Sequence, residues 1–267
     1  MKKVKRCFIY AVLLLAITSC ETLKVAHYGT TTTGQMKKVV ILSAMIDKIY
    51  QPPLPLIDAG IFNGKTNKIS EEIIIMQQAH VNKYPAILAN SFKENFNCQV
   101  FYGESLHILP EYENLRKQLD KPGELYTGND NFPMISISEG DMNPFFFNGV
   151  RVQKFFQDEQ NYKSIMGTIA NKLETDFVVI SISQLSVQRI DAFGLDGDLV
   201  LLTKLYIFNN EGKLVSEASN MSERMMIGAK NPEDYNSVLR YFSSIIKPMI
   251  SAIAARYKAN NPLPTVN

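Results

Sequence analysis

The stretch that decides the fold is residues 169–179, which read Ile-Ala-Asn-Lys-Leu-Glu-Thr-Asp-Phe-Val-Val. Upstream of it, apolar residues recur every three or four positions over Asp158–Leu173, and this spacing predicts an amphipathic helix with Asp158 as its cap. Downstream of it, apolar residues recur at every second position from Val178, and this period predicts a strand that runs to Ile190 after a break. A helix that passes directly into a strand indicates a sheet with helices packed against it.

Two segments before this stretch predict a parallel pair of strands. Val39–Met45 is a continuous apolar run, which is typical of a strand covered on both faces and therefore central in a sheet. Tyr84–Phe96 predicts a helix, with Asn97 closing it in a left-handed conformation. Gln99–Tyr102 predicts a short strand, so the succession of strand, helix and strand implies a right-handed crossover between parallel neighbours.

The segments after it predict an antiparallel meander and a terminal helix. Leu199–Phe208 and Lys213–Ala218 read as strands on either side of a turn at 209–212. Asn231 is placed to cap a final helix of about six turns, which Pro248 is expected to bend. With a short helix at 111–119 and a strand at 134–138, the predicted fold class is α/β (α+β). The prediction is a mixed sheet of about five strands flanked by helices, in the order β-α-β-α-β-β-β-α.

These elements predict one domain at residues 37–258. Insertions interrupt it at 47–75 and at 103–134. Prolines and glycines in the first insertion predict a long loop that ends in a helical turn from Ser70. Residues 259–267 also carry prolines and are predicted to form a flexible tail.

The first twenty residues predict export and a lipid anchor. Basic residues at positions 2–6 precede an apolar run, Phe8–Ile17, which is the layout of a secretory signal and is too short to span a bilayer. Small residues directly before Cys20 resemble the bacterial lipobox, in which the cysteine is acylated and becomes the mature N-terminus. We therefore predict a signal peptide at 1–19, followed by a lipidated N-terminus and tether at 20–36. The alternative is an ordinary signal in which the cysteine is incidental.

Removal of the signal changes both the net charge and the cysteine count. The full chain has 28 Lys and Arg against 26 Asp and Glu, a net charge of +2. The signal carries four of the basic residues and no acidic one, so the mature net charge is −2, which does not indicate a nucleic-acid partner. Of the three cysteines, Cys7 leaves with the signal and Cys20 is acylated, so Cys98 has no cysteine left for an intrachain disulfide.

The sequence carries no recognisable catalytic, cofactor-binding or metal-binding motif. His27, His80 and His107 lie far apart, without a nucleophile elbow or a cluster of zinc ligands. Asp196 and Asp198 faintly resemble a calcium loop, but a hairpin turn explains them better because the bidentate Glu of such a loop is missing. We therefore expect no catalytic, cofactor or metal residues and favour a non-enzymatic protein. An enzyme whose site is assembled from scattered carboxylates and tyrosines stays open.

Joined to the lipobox, the element order resembles a group of bacterial envelope proteins. The group includes the curli-secretion lipoproteins, the lipoprotein activators of penicillin-binding proteins, and the N-terminal domain of the Tol-system propeller protein. Residues 169–179 resemble the helix-to-strand junction of this group, and Leu199–Ser216 resembles its strand, glycine turn and strand. The group usually has Gly-Ala where this chain has Glu174-Thr175. The resemblance implies a fold and a protein that binds or assembles partners.

The expected function follows from the anchor and the resemblance. We expect a periplasm-facing envelope lipoprotein, attached to the membrane through Cys20, that binds or scaffolds an envelope protein partner. Glu21 stands where an Asp would favour inner-membrane retention in enteric bacteria, so the outer membrane is favoured. The alternatives are an envelope enzyme with an unrecognised site and a component of an outer-membrane secretion or assembly complex.

Phe145, Phe146 and Phe147 form the candidate interface. Turn residues flank them, Asn143-Pro144 on one side and Asn148-Gly149 on the other, so the three rings cannot all point the same way. One interpretation is a loop that inserts into the core. The other is an exposed aromatic patch that contacts a partner or the membrane.

We predict that at least one of the variants Phe145→Ala, Phe146→Ala and Phe147→Ala has a free energy of unfolding within about 1 kcal/mol of wild type, as surface substitutions do. The same variant should bind an envelope partner or the membrane more weakly. If all three rings lay in the core, each substitution would instead lower the free energy of unfolding by about 3–5 kcal/mol. Melting curves of the single variants, combined with capture from envelope extract, distinguish these results. Large losses in all three variants contradict the interface.

Overall fold

The computed structural model describes residues 23–27, 36–50, 66–119, 135–142, 159–190, 196–228 and 231–260. The predicted signal peptide, Cys20, Asp158, the candidate interface at 145–147 and the predicted tail from 261 onward lie outside the described residues.

Strands and helices alternate along these ranges. The strands are β1 Lys24–His27, β2 Lys38–Tyr50, β3 Gln99–Phe101, β4 Ile135–Ile137, β5 Phe177–Ile190, β6 Asp196–Asn209, β7 Leu214–Met221 and β8 Met225–Gly228. The helices are α1 Thr66–Val81, α2 Tyr84–Phe96, α3 Glu104–His107, α4 Pro110–Leu119, α5 Glu159–Lys172, α6 Pro232–Leu239 and α7 Phe242–Asn260.

The strands form one mixed sheet in the order β1-β7-β6-β5-β2-β3, with β4 paired to β2 and β8 paired to β6. β2 lies parallel to β5 and to β3, and the remaining pairs are antiparallel. The predicted α/β class is therefore confirmed, and so is the parallel pair on either side of α2. Within the described ranges the sheet has eight strands rather than about five, and the element order is correspondingly longer. β1 and β8 were missed because strands of four residues are too short to show a period.

Helices cover both faces of the sheet, so the core has two layers. One hydrophobic cluster, the first cluster, joins the sheet to α1, α2, α6 and α7, and the second cluster joins its other face to α3, α4 and α5. The middle strands are buried on both faces. Phe177 and Val179 of β5 belong to the first cluster, whereas Val178 and Ile180 belong to the second. The run Val39–Met45 in β2 is buried throughout, as its composition predicted.

The end of α5 has the geometry of a Schellman cap. Glu174 takes a left-handed conformation with φ 48°, and the N–H of Thr175 donates to the carbonyl of Ala170 at 3.0 Å. A left-handed residue at this position is usually glycine, because a Cβ is strained there. The chain therefore departs from the resembled group at the one position of the junction where glycine is physically favoured.

The residues that follow this cap hold the start of β2. The Asp176 carboxylate accepts hydrogen bonds from two successive backbone N–H groups, those of Lys37 and Lys38, at 3.0 and 2.8 Å. The Asp176 N–H and the Thr175 hydroxyl both donate to the Lys38 carbonyl, at 3.0 and 2.9 Å. These bonds place Phe177 opposite Val39 and so set the parallel register of β5 on β2.

The turn between β6 and β7 contacts α5 backbone to backbone. Gly212 has φ 77°, and a Cβ built on it would lie 1.9 Å from the carbonyl oxygen of Lys163. Only glycine permits this approach. The predicted turn at 209–212 therefore also fastens the meander to the helix that precedes it.

The predicted C-terminal helix is divided in two. Asn231 caps α6 as predicted, its side-chain oxygen accepting from the N–H of Glu233 at 3.3 Å. The break lies at Arg240 and Tyr241, whereas Pro248 lies inside α7. The prediction of one continuous helix is therefore wrong, and the expected bend at Pro248 stays a prediction.

A tertiary contact lies at this break. The hydroxyl of Tyr84 in α2 donates to the carbonyl of Leu239, the last residue of α6, at 3.0 Å. Its ring stacks on Phe242, the first residue of α7, with centroids 3.6 Å apart. The Tyr84 side chain therefore occupies the junction of the two helices.

The stretch Glu233–Asn260 is long and apolar enough, by length and composition, to cross a membrane. Half of its most apolar part is buried inside the fold. Ile245, Ile246, Met249 and Ile253 of α7 belong to the first cluster, which is the behaviour of a core helix.

Regular structure extends into the predicted loops. β2 continues to Tyr50 and α1 begins at Thr66, so both ends of the predicted loop at 47–75 are ordered elements. In the predicted insertion at 103–134, α3 and α4 bury residues in the second cluster. The predicted tether at 20–36 contains β1, which pairs with β7. Local composition misled these predictions because neighbouring strands and helices supply the stabilising contacts.

Glu174→Gly is expected to raise the free energy of unfolding by about 0.5–1 kcal/mol, because glycine removes the left-handed strain of a residue with a Cβ. Asn171→Gly is the matched control three residues earlier. It lies in regular helix and is exposed, so glycine should lower the free energy of unfolding there by about 1 kcal/mol. Urea unfolding of both variants measures the difference. Losses of equal size would contradict the cap geometry.

Candidate functional site

A cluster of polar side chains, the polar cluster, lies beyond the end of β4. It comprises His107 at the end of α3, Tyr112 in α4, and Ser138 and Asp141 in the loop that follows β4. The loop is tied to β2, because the N–H of Ser138 donates to the carbonyl of Ala44 at 3.1 Å. Residues 34 positions apart in sequence therefore meet at one end of the sheet.

Asp141 lies at the centre of the polar cluster. Its side chain is fully buried, and Oδ1 lies 3.1 Å from Nε2 of His107. Oδ2 accepts from the N–H of Ala44 at 3.4 Å, and the side chain of Ser138 also hydrogen-bonds the carboxylate. The carboxylate thus joins β2, α3 and its own loop.

Tyr112 closes the polar cluster from α4. Its hydroxyl donates to the carbonyl of Gly140 at 3.2 Å and accepts from the N–H of Met142 at 2.7 Å. Its ring lies over His107 with centroids 5.5 Å apart and planes 28° from parallel. The Gly140 carbonyl and the Met142 N–H, which flank Asp141, are therefore both hydrogen-bonded to the buried side chain of Tyr112.

Glycine at position 140 makes this arrangement possible. Gly140 has φ 79°, and a Cβ built there would lie 2.4 Å from Cε1 and 2.6 Å from Nδ1 of His107. The Nδ1 edge of the imidazole therefore faces the backbone of the loop, while Nε2 faces Asp141. The side chain of His107 remains 24% exposed, so water reaches part of the ring.

Burial raises the pKa of Asp141 above its usual value. The hydrogen bond and the charge of His107 act in the opposite direction, as do the bonds from the Ala44 N–H and the Ser138 side chain. Desolvation is the largest of these effects, because it penalises the charged carboxylate. Ionised Asp141 is therefore tolerated through its hydrogen bonds, not through contact with water.

A His–Asp pair is one component of general-base chemistry, in which the second imidazole nitrogen must reach a nucleophile or a substrate. In this cluster that second nitrogen, Nδ1, faces Gly140 at close range. The geometry instead suits a structural role, in which the polar cluster holds the loop 138–142 against β2, α3 and α4. Met142 is the last described residue of this loop, and Phe145 follows three positions later.

The other residues considered from the sequence are dispersed. His80 bonds Asn236 at 2.7 Å between α1 and α6. Cys98 is buried against α2, and burial raises the pKa of its thiol to about 11, as expected of a structural thiol. Asp196 and Asp198 lie in β6, paired with β8. Among the residues that the structure describes, no group of three or more His, Cys, Asp or Glu side chains could hold a metal ion.

Sequence reasoning noted His107 without finding its partners. The pairing depends on β2, β4 and the two short helices meeting in three dimensions, and no motif spacing records that. The available signal was the Gly140-Asp141 pair directly after a strand, because glycine at a strand end often marks a close approach of another group.

Comparisons with known proteins give no family. No protein-family profile matches the sequence, and no curated protein matches it. The chain is similar to solved structures of the PelC dodecamer from Paraburkholderia phytofirmans in two crystal forms, the first of a single-substitution variant. The first match has 11% identity and a TM-score of 0.30, and covers 88% of this chain and 99% of that chain. The second has 11% identity and a TM-score of 0.28, and covers 86% and 96%. At these TM-scores the likeness carries no conclusion about fold, function or assembly.

Asp141→Ala is expected to lower the free energy of unfolding by about 2–4 kcal/mol, because the buried N–H of Ala44 and the His107 ring lose their acceptor. Asp141→Asn keeps an acceptor without the buried charge and should stay within about 1 kcal/mol of wild type. Since burial raises the folded-state pKa of Asp141, its stabilising contribution is complete at low pH and falls as pH rises through that pKa.

Wild type should therefore lose stability relative to Asp141→Asn as the pH increases above about 4. Urea unfolding of the three proteins at several pH values measures this dependence. Equal losses in the free energy of unfolding for the Ala and Asn variants would contradict the structural role of Asp141. So would a difference from wild type in that free energy that does not depend on pH.

Proposed function

We propose that this protein is a lipid-anchored protein of the bacterial cell envelope, and that its α/β domain binds or scaffolds other envelope components without catalysis of its own. The observation that carries the proposal is the N-terminal segment. A cationic start, the apolar run Phe8–Ile17 and two small residues precede Cys20, and together they fit a lipoprotein signal. Two or more acyl chains on this cysteine would make a stable membrane anchor.

The placement of β1 supports this proposal. β1 starts at Lys24, so the segment that would follow an acylated Cys20 leads directly into an edge strand of the sheet. A processed N-terminus at this position removes no strand or helix that the structure describes. The anchor and the folded domain are therefore compatible.

The polar cluster supports binding in preference to catalysis. Its carboxylate is fully buried, and its imidazole is held between Asp141 and Gly140, so both groups serve the loop. This loop leads toward Phe145–Phe147, the candidate contact for an envelope protein. We favour the outer membrane because Glu21 replaces the Asp that favours inner-membrane retention in enteric bacteria.

An envelope enzyme is the second candidate, and the His107–Asp141 pair is the observation that favours it. Partial exposure of the imidazole would allow a proton to exchange with water. For this function His107→Gln would abolish an activity while leaving the fold intact. A purely structural role of the polar cluster predicts instead that His107→Gln lowers the free energy of unfolding.

Cys20→Ala is expected to abolish acylation, because the thioether requires the thiol. Cys98→Ala is the matched control. It removes the buried cysteine between α2 and β3, and this variant should remain acylated. Full-length chains expressed in a bacterial host are compared by acyl labelling, by the mass of the N-terminal peptide and by membrane fractionation. Retention of the acyl label in Cys20→Ala would contradict the anchor.

A further inference from the structure

The chain leaves β1 toward the proposed anchor in a defined direction. β1 begins only four residues after Cys20. Leu23, which directly precedes β1, packs against the first cluster, as Val25 does. Residues two apart in an extended chain face the same side of a sheet. The chain therefore continues in line with β1 as far as Leu23, and Cys20 lies three residues further.

The position of β1 on the domain is fixed by several contacts. β1 pairs with β7 along its whole length. The guanidinium of Arg256 in α7 donates to the Val25 carbonyl, and the hydroxyl of Ser216 donates to the Ala26 carbonyl at 3.2 Å. The direction in which the chain leaves β1 is therefore a property of the folded sheet.

The sheet extends further in this direction than the segment that carries the anchor. Lys24 lies opposite Ser219 of β7, which lies opposite Lys204 of β6. β1 and β6 are both antiparallel to β7, so β6 continues from Lys204 to Gly197 in the direction in which the chain leaves β1. These seven residues of strand cover about 24 Å. The segment from Lys24 back to Cys20 covers at most about 14 Å.

The part of the sheet that extends past the anchor is called the projecting end. It consists of β5 from 187 to 190, β6 from 196 to 199, and β8. β5 lies on one side of β6, and β7 and β8 follow each other on the other side. β8 is therefore in line with β7, beside the path of the anchor segment. The projecting end passes the furthest position of Cys20 by about 10 Å.

The projecting end carries an exposed apolar side chain. Met226 of β8 is 75% exposed, whereas its neighbour Ile227 is buried in the first cluster. Charged residues of both signs occur in the same part of the sequence: Arg189, Asp196, Asp198, Glu223 and Arg224. Since the basic residues are not in excess, attraction to a surface here depends on the apolar side chain.

We propose that the projecting end contacts the membrane that holds Cys20, with Met226 against its lipids. The inference rests on the proposed lipidation of Cys20. A folded domain does not cross the bilayer plane. When the anchor segment continues in line with β1, the projecting end reaches the headgroups before that segment is fully extended. The anchor also keeps the membrane at high local concentration, so a small apolar contact suffices.

This contact sets the orientation of the domain. The turn at 209–212 lies at the other end of β6, about 40 Å from Gly197 along the strand. With the projecting end on the membrane, this turn lies far from it, toward the periplasm. If the domain instead lay with its β1 edge on the membrane, the turn would be closer to the bilayer than β5, because it adjoins β7 next to β1.

The experiment compares two positions at opposite ends of the sheet. The purified full-length lipoprotein is placed in phosphatidylcholine vesicles that contain a lipid with a quencher on its headgroup. A fluorophore is attached at Gln188→Cys in the projecting end or, in the control, at Asn210→Cys in the turn, and both positions are exposed. Cys98 is buried, so the introduced thiol is the one that reacts. We expect strong quenching at position 188 and weak quenching at position 210.

A second comparison tests the apolar contact. Met226→Gln keeps the length of the side chain and removes its apolar character. Ile108→Gln is the matched control, because Ile108 is 78% exposed but lies between α3 and α4. In the protein labelled at position 188, Met226→Gln should shift the equilibrium toward the undocked state by about tenfold, and Ile108→Gln should not. Urea unfolding checks that both variants keep the stability of their parent.

The lipid composition distinguishes an apolar contact from an electrostatic one. Quenching at position 188 should be at least as strong in phosphatidylcholine as in vesicles that also contain phosphatidylglycerol. A requirement for the anionic lipid would overturn the apolar contact.

The remaining failures separate this inference from the proposed function. If acylated Cys20 holds the protein on the vesicles but position 210 is quenched as strongly as position 188, or Met226→Gln has no effect, the contact is wrong and the anchor stands. If mass spectrometry finds no acyl chain on Cys20 and the protein does not sediment with vesicles, the proposed function fails, and this inference fails with it.

Discussion

The fold depends on the hydrogen bonds between the Asp176 carboxylate and two backbone N–H groups at the start of β2. Bonds from a carboxylate to backbone N–H groups are stronger than neutral ones. Here they join segments that lie 138 residues apart in sequence. Thr175 and the Asp176 N–H complete the junction by donating to the carbonyl of Lys38. Because β2 and β5 pair in parallel, no short turn could set their register, so this contact does so instead.

Both hydrophobic clusters follow from that register. Once Phe177 lies opposite Val39, alternate residues of the two strands face opposite layers of helices. A slip of one residue would exchange the two faces and bring the wrong side chains to each layer. On one face, Tyr84 joins α2 to the break between α6 and α7. Burial raises the pKa of this tyrosine strongly, because it penalises the charged phenolate.

The proposed anchor and the proposed partner contact concern opposite edges of this sheet. The edge at β1 carries the chain toward Cys20. At the other edge, the buried carboxylate of Asp141 holds the loop that leads toward Phe145–Phe147. The proposed scaffold requires two separate contacts, whereas an enzyme would require convergence of reactive groups.

The sequence by itself determined the α/β class, α2 with its left-handed Asn97, the central position of β2, the meander around Gly212, and the Asn231 cap. Each of these depends on a period or on a residue with a strong local preference, so neighbouring residues suffice to predict it. Cys20 and the candidate interface are also sequence inferences, and they lie outside the described residues. Only the tertiary structure decided the strands β1 and β8, the break at Arg240, and the polar cluster at Asp141. β1 is a strand because β7 offers it an edge, and the terminal helix breaks where Tyr84 takes a carbonyl. His107 meets Asp141 because Gly140 lets a ring approach the backbone. Contacts between residues distant in sequence leave no period in the chain, and for that physical reason only the folded structure reveals them.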